Sequence, residues 1–153
     1  MRLKKENCEN FHFWLIGLNS SIGTIDQSYS NSTVTANTGS WVGGLVGENQ
    51  GGISNSYASG DVTVANGTNN VGGLIGKNAS GTITNTYAVG KVDGGANASS
   101  QSGGLIGEFR GGAVSSSYWD TQTSTKPNSP AGTGKTSAQM AMQTTYASWD
   151  FVN

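Results

Sequence analysis

The chain has 153 residues, about the length of one domain, with 24 glycines, 11% charged residues and a formal net charge of −1. So weak a charge, spread over scattered basic residues, provides no field to gather a polyanion, and nucleic acid is excluded as an expected partner. One cysteine, Cys8, and one histidine, His12, exclude an internal disulfide framework and offer no cluster for a metal or cofactor.

Residues 1–14 hold the densest charge, including Arg2, Lys4, Lys5, Glu6 and Glu9, and share no period with the rest of the chain. They read as a leader or as the frayed end of an upstream unit. Phe11 to Leu18 is too short and too interrupted for a membrane span or a secretory signal. An export signal would therefore lie upstream, in a longer protein.

From Leu15 the chain repeats itself. Gly43-Gly44-Leu45-Val46-Gly47, Gly72-Gly73-Leu74-Ile75-Gly76 and Gly103-Gly104-Leu105-Ile106-Gly107 are near-copies, and Leu15-Ile16-Gly17 is a worn first copy with Phe13-Trp14 in place of the glycine pair. Asn19 answers Asn78, and Gly23-Thr24-Ile25 answers Gly81-Thr82-Ile83. Each copy runs on to a tyrosine, Tyr29, Tyr57, Tyr87 or Tyr118, at spacings of 28, 30 and 31 residues. Four residues before each stands Ile25, Ile53, Ile83 or Val114; five after it stand Val34, Val62, Val92 and then Thr123. A period of this length signals stacked units, none of which can bury its apolar face alone.

The local pattern selects the type of stack. Glycine interrupts every apolar run, so a helical face never builds up, and the runs are short and β-branched. Three short strands per copy predict one coil of a parallel β-helix, or β-solenoid. About four coils, spaced about 4.8 Å apart, would set like side chains on like. A propeller blade needs about 40 residues or more and is cramped at this length. Gly43-Gly44 and its copies, with Gly60 and Gly90, are expected to turn corners at positive φ.

Two orientations stay open. Adjacent strand residues face opposite ways, so Leu45 and Val46 point inward together only if the strand bends; otherwise the Val46, Ile75, Ile106 row is exposed. Asn55 and Asn85 share parity with Ile53 and Tyr57, which sets them in an internal amide ladder or, if the strand kinks, outside. The tyrosine column itself is expected in the core or at its margin. Length varies between the third-strand valine and the next glycine pair, through stretches such as Ala65 to Asn70, where a contact face is a possible reading against plain solvated turns.

After Tyr118 the period stops. Residues 120–153 read as a C-terminal cap: a Gly- and Pro-containing loop with Pro127 and Pro130, a capping-box pattern at Thr136-Ser137-Ala138-Gln139, a short helix from Ser137 to about Tyr146, and a last strand at Trp149-Asp150-Phe151.

These residues resemble the GLUG repeat of bacterial surface and secreted proteins, named for Gly-Leu-x-Gly, and Asn55 to Gly60 is similar to the second half of that repeat. The resemblance covers residues 15–119. It implies a repeat region of large exported proteins, including adhesin-like proteins and some immunoglobulin-A-cleaving peptidases, located outside the cell or at its surface. It does not imply that the repeat cuts anything, and one histidine cannot assemble a His-Glu-x-x-His site.

Other chemistries find little footing. Gly132-Thr133-Gly134-Lys135-Thr136 imitates the end of a phosphate loop, but Ser129 stands where a glycine is needed, and the reading is a flexible turn. The acids Asp26, Asp61, Asp93 and Glu108 are isolated in sequence, although Asp61 and Lys91 precede aligned valines and could stack as an exposed ion pair. The expectation is a non-enzymatic structural or adhesive module with no cofactor, metal or catalytic residue, binding host or matrix glycans or proteins, or other domains of a larger surface protein. The alternatives are a glycan-binding or glycan-cleaving β-helix, and a self-assembly module packing through an outer Ile/Val row.

Overall fold

The computed structural model describes residues 16–37, 40–65, 70–95 and 101–149. The repeat winds as a parallel β-solenoid of about three full turns, its strands spread over four windings of which, among the described residues, the first and last are incomplete. Strands β1 (Ile16–Asn19), β2 (Thr24–Asp26), β3 (Tyr29–Ser30) and β4 (Val34–Ala36) belong to the first winding, and β5 (Trp41–Gly43), β6 (Val46–Asn49), β7 (Gly52–Ala58) and β8 (Val62–Val64) to the second. The third holds β9 (Asn70–Gly72), β10 (Ile75–Asn78), β11 (Thr82–Ala88) and β12 (Val92–Asp93). The fourth holds β13 (Gln101–Gly103), β14 (Ile106–Phe109), β15 (Ala113–Ser115) and β16 (Tyr118–Asp120). After it come β17 (Thr133–Lys135), helix α1 (Ser137–Met140) and a 3-10 turn at Gln143–Tyr146.

Every strand pair is parallel, in the orders β1-β6-β10-β14, β2-β7-β11-β16-β17, β4-β8-β12 and β5-β9-β13, with β3 on β7 and β15 on β11. Tyr29, Tyr57, Tyr87 and Tyr118 are register partners in one file, as the spacing predicts. The sheet made by β5, β9 and β13 departs from the three strands per copy expected from sequence; these strands fall partly in stretches that read as polar loops. Each is only three residues long, with one inward residue between two others, too short for an alternation to show. Val42 and Val71 are nevertheless fully buried.

Both residues of the Leu45-Val46, Leu74-Ile75 and Leu105-Ile106 pairs point inward. The chain bends at Gly44-Leu45 and its copies, and the Leu74 carbonyl accepts from both Leu45 N (2.9 Å) and Val46 N (3.1 Å). Leu45, Val46, Leu74, Ile75, Leu105 and Ile106 are all fully buried in one cluster with Ile25, Ile53, Ile83 and Trp119. A second cluster joins Val34, Ala36, Val42, Val62, Val64, Val71 and Val92. Fully burying such side chains contributes about 1.5–3 kcal/mol each, which offsets the ordering entropy of a glycine-rich backbone. With Val46, Ile75 and Ile106 all inside, a self-assembly module resting on an outward row of these residues is overturned.

A kink resolves the other open orientation. Gln27, Asn55, Asn85 and Ser116, each two residues before a file tyrosine, adopt φ of 47°, 47°, 52° and 45°. The left-handed residue resets the alternation: Ile53 and Ser56 point in, Asn55 and Tyr57 out, and Ala58 in again. Ser56 Oγ then donates to the Ser54 carbonyl (2.6 Å) and Ser117 Oγ to that of Ser115 (2.7 Å), satisfying groups beside the kink.

The glycine pairs turn no positive-φ corner; among the described glycines only Gly95, Gly112 and Gly132 have positive φ. Their reason is crowding. A Cβ on Gly44 would run into the Gly73 carbonyl oxygen, and one on Gly73 into that of Gly104, because successive windings approach backbone to backbone at this point.

The tail caps the last winding. Trp119, in register with Ala88, fills the interior where Ala58 and Ala88 leave room, and its Nε1 donates to the Lys126 carbonyl (3.0 Å). Ser124 O accepts from Val92 N, Asn128 O from Gly104 N, and Ser129 Oγ from Leu105 N and Ile106 N. The predicted capping box is present: Thr136 Oγ1 accepts from Gln139 N and Gln139 Oε1 from Thr136 N. The α-helix is shorter than expected, ending at Met140, with the 3-10 turn in place of its second half. Trp149 is not in a strand, and Asp150 and Phe151 lie outside the described residues, as do residues 1–14. Thr133-Gly134-Lys135, read as a flexible turn, is a strand paired with Tyr118-Trp119-Asp120.

Candidate functional surfaces

Stacking fixes where side chains can act, since each outward column repeats at the winding-to-winding spacing of about 4.8 Å. The tyrosine file runs along the outside of the solenoid, partly exposed: of the two places expected for it, core or margin, it takes the margin. Tyr29 and Tyr57 stack face to face with ring centres 5.2 Å apart, and Tyr57 and Tyr87 at 4.8 Å. Their faces are consequently occupied by one another, so the file as a whole cannot act as a row of sugar platforms. The cap covers its far end: Tyr146 packs edge-on to Tyr118 (5.6 Å), and Trp149 lies 5.9 Å from Tyr87 and donates Nε1 to the Ser116 carbonyl (3.1 Å). Burial, with Tyr57 and Tyr146 alongside, pushes the Tyr87 phenol up. Burial, with Tyr118 and Asp120 alongside, does the same to Tyr146.

Beside the file, Asp26 Oδ1 accepts from Ser54 Oγ (2.7 Å) and Asn55 Nδ2 (2.9 Å), and Asn55 Oδ1 accepts from Asn85 Nδ2 (3.2 Å). Those two donors hold the exposed Asp26 carboxyl below its usual range.

The internal amide ladder is made by other asparagines. Asn19 Nδ2 donates to Asn49 Oδ1 and Asn49 Nδ2 to Asn78 Oδ1, both at 2.7 Å, and Asn78 Nδ2 ends the run on the carbonyls of Gly81 (2.9 Å) and Gly111 (2.7 Å). All three are buried. In the sequence Asn19 answers Asn78, but nothing there gives the column a role. Its signal is an Asn two residues beyond each of Gly17, Gly47 and Gly76, replaced by Phe109 in the fourth copy.

A polar strip follows the outward side of β6, β10 and β14, where Glu48, Lys77 and Glu108 are in register with one another and with Leu18. Lys77 Nζ lies 3.2 Å from Glu48 Oε1 and 4.2 Å from the centre of the Trp41 ring. Glu108 takes Asn70 Nδ2 (2.8 Å) and is ion-paired with Arg110. The strip's acids are thus neutralised in place.

The four acids singled out from sequence are distributed over different sheets: Asp26 on β2, Asp61 and Asp93 around β8 and β12, and Glu108 on β14. Asp61 accepts from the backbone N–H of Lys91 (2.8 Å), while the Lys91 ammonium pairs with Asp93 (3.6 Å), so the expected Asp61–Lys91 ion pair is replaced. A shallow cleft of about 360 Å³ is lined by Gln101, Ser102, Gly107, Asn128, Ser129 and Pro130, none of them titratable. Among the described residues no His, Cys, Asp and Glu group is placed to hold a metal ion, and no helix is long and apolar enough to cross a membrane. Within the variable-length stretches residues 38–39, 66–69 and 96–100, together with Cys8 and His12, lie outside the described residues.

No curated protein and no solved structure gives a significant match to the chain. The family model described as the GLUG motif matches residues 38–63 and 67–93, which take in the second winding as far as Thr63 and the whole of the third. The chain therefore carries a GLUG-repeat region, two repeats long by that match, folded as a β-solenoid.

Proposed function

We propose that this solenoid is a non-enzymatic structural and adhesive module of a bacterial protein that is secreted or displayed at the cell surface. One observation carries the reading. Glu48, Asp93 and Glu108 are each paired with a lysine or arginine, and Asp26 and Asp61 with hydrogen-bond donors, so these acids serve the stack. A glycosidase needs two carboxyl groups facing one substrate, one of them free to give up a proton. Interior ladders, by contrast, make a short stiff rod that presents identical columns at a fixed repeat. Exposed phenol edges and amides on such columns suit adhesion to glycans or proteins.

The test is a binding and turnover screen. The purified chain is presented to immobilised matrix proteins and glycans while the supernatant is assayed for new reducing ends. The reading expects retention on at least one surface with no product released. Product release that disappears in Glu108→Gln or Asp26→Asn would overturn it in favour of the glycan-cleaving alternative.

A further inference from the structure

The five tyrosines of the chain gather on one side of the solenoid, but they are not held alike. Tyr146 of the cap lies 6.2 Å from Tyr87 and 5.6 Å from Tyr118, and Trp149 lies 5.9 Å from Tyr87. These rings hem in the later part of the file. At the earlier part Tyr29 is 58% exposed, while the other four tyrosines are half-buried.

Tyr29 and Tyr57 are register partners on parallel strands, so their rings leave the backbone at equivalent points. With centres 5.2 Å apart and planes within 9° of parallel, the rings present like edges to each other. The carbons ortho to the two hydroxyls therefore face one another. In a phenoxyl radical the unpaired electron is shared between the oxygen and those ortho carbons, and holding two such rings together turns an encounter between molecules into a step within one. Closing the gap to a bond requires the rings to hinge about their side-chain torsions, which the exposure of Tyr29 permits. Tyr57 and Tyr87 are stacked at 4.8 Å, but the cap rings beside Tyr87 leave that pair less room.

We propose that Tyr29 and Tyr57 are an oxidative cross-linking site, at which a peroxide-driven one-electron oxidant joins the first winding to the second through dityrosine. Each phenol gives up one electron and one proton to become a phenoxyl radical, and a bond forms between the facing ortho carbons. Each ring then loses its ortho hydrogen as a proton while its oxygen regains one, restoring both phenols. The two electrons and two protons released overall reduce one hydrogen peroxide to two waters. The bond falls where the stack is held by little backbone: β3, which carries Tyr29, has two residues and β2 three, against seven in β7. A cross-link closing the 28-residue interval between the tyrosines restricts the unfolded chain and opposes local opening of the first winding. The site is independent of adhesion to any host molecule.

The test treats the full chain, carrying Cys8→Ser to remove a competing thiol, with a heme peroxidase and hydrogen peroxide at high dilution. Free tyrosine in a parallel reaction certifies the oxidant. The expected result is dityrosine fluorescence in the monomer band of a denaturing gel and an intact mass lower by two hydrogens. Digestion after Glu48, which lies between the two tyrosines, should leave its two halves joined through Tyr29 and Tyr57. Tyr29→Phe and Tyr57→Phe each keep a ring in the stack without the phenol and are expected to lose the product, whereas Tyr118→Phe should keep it. The cross-linked chain should unfold at a higher urea concentration than the untreated one. Dityrosine confined to dimers, a map joining another pair, or undiminished product in Tyr29→Phe would overturn the proposal. So would a chain that forms none while free tyrosine couples.

Discussion

Asn49→Leu separates hydrogen bonding from packing, because leucine has nearly the shape of the amide it replaces. In the native ladder Asn49 accepts from Asn19 and donates to Asn78 and to the Gly51 carbonyl. Gly51 O keeps Thr82 N, but Asn78 Oδ1 loses its donor and one N–H of Asn19 loses its acceptor. Two buried orphans at about 1–3 kcal/mol each, reduced by the apolar gain of leucine, predict a net loss of about 2–4 kcal/mol. For a chain of this length that is a fall in Tm of about 5 to 15 °C. Urea unfolding gives the free energy directly. The fourth winding already replaces the amide with Phe109, so changing Asn19, Asn49 and Asn78 to leucine together removes most of the orphans. The triple change should therefore cost less than the sum of the three single ones. A single-mutant cost below about 0.5 kcal/mol, or strict additivity, would refute the account of a dry, mutually satisfied ladder.

Glycines on the same solenoid should respond oppositely to alanine: Gly73→Ala meets the Gly104 carbonyl and is expected to cost more than about 2 kcal/mol, whereas Gly52, with open space around it, is expected to gain about 0.4–1 kcal/mol in the same unfolding assay. Asn85→Val puts a β-branched residue at φ 52° and should cost about 1–2 kcal/mol, while Asn85→Gly should stay near neutral. The raised phenols of Tyr87 and Tyr146 favour the neutral form in the native state. Their contribution is complete below the ordinary tyrosine range near pH 10 and is lost as pH rises through the higher folded values. Tyrosinate absorbance should show these two titrating after an exposed tyrosine, and Tyr87→Phe should blunt the loss of stability in alkali.

The columns are legible because stacking writes each of them into the sequence at one offset, as with Tyr29, Tyr57, Tyr87 and Tyr118. Direction is not. Asn49 and Asn55 are the same residue type in similar surroundings, and only the left-handed turn at Asn55 sends one outward and keeps the other in. The glycine pairs could equally have served positive φ or close approach, and the choice depends on where the neighbouring winding's carbonyl lies. Lys91 shows the same limit on the surface: its place beside Asp61 is readable, but its rotamer reaches Asp93. The strands β5, β9 and β13 are hidden by their length, and β17 by a composition of Thr, Gly and Lys that favours no strand on its own.

The most direct test of parallel, in-register stacking is a pair of engineered disulfides in a Cys8→Ser background. Ser54 and Thr84 are register partners on adjacent windings, at a spacing that a disulfide spans. Ser54→Cys with Thr84→Cys should oxidise nearly completely in the folded chain, while Ser54→Cys with Ser80→Cys, four residues out of register, should not. Equal oxidation of the two pairs, or bridging only of the second, would contradict a solenoid in which each winding lies squarely on the last.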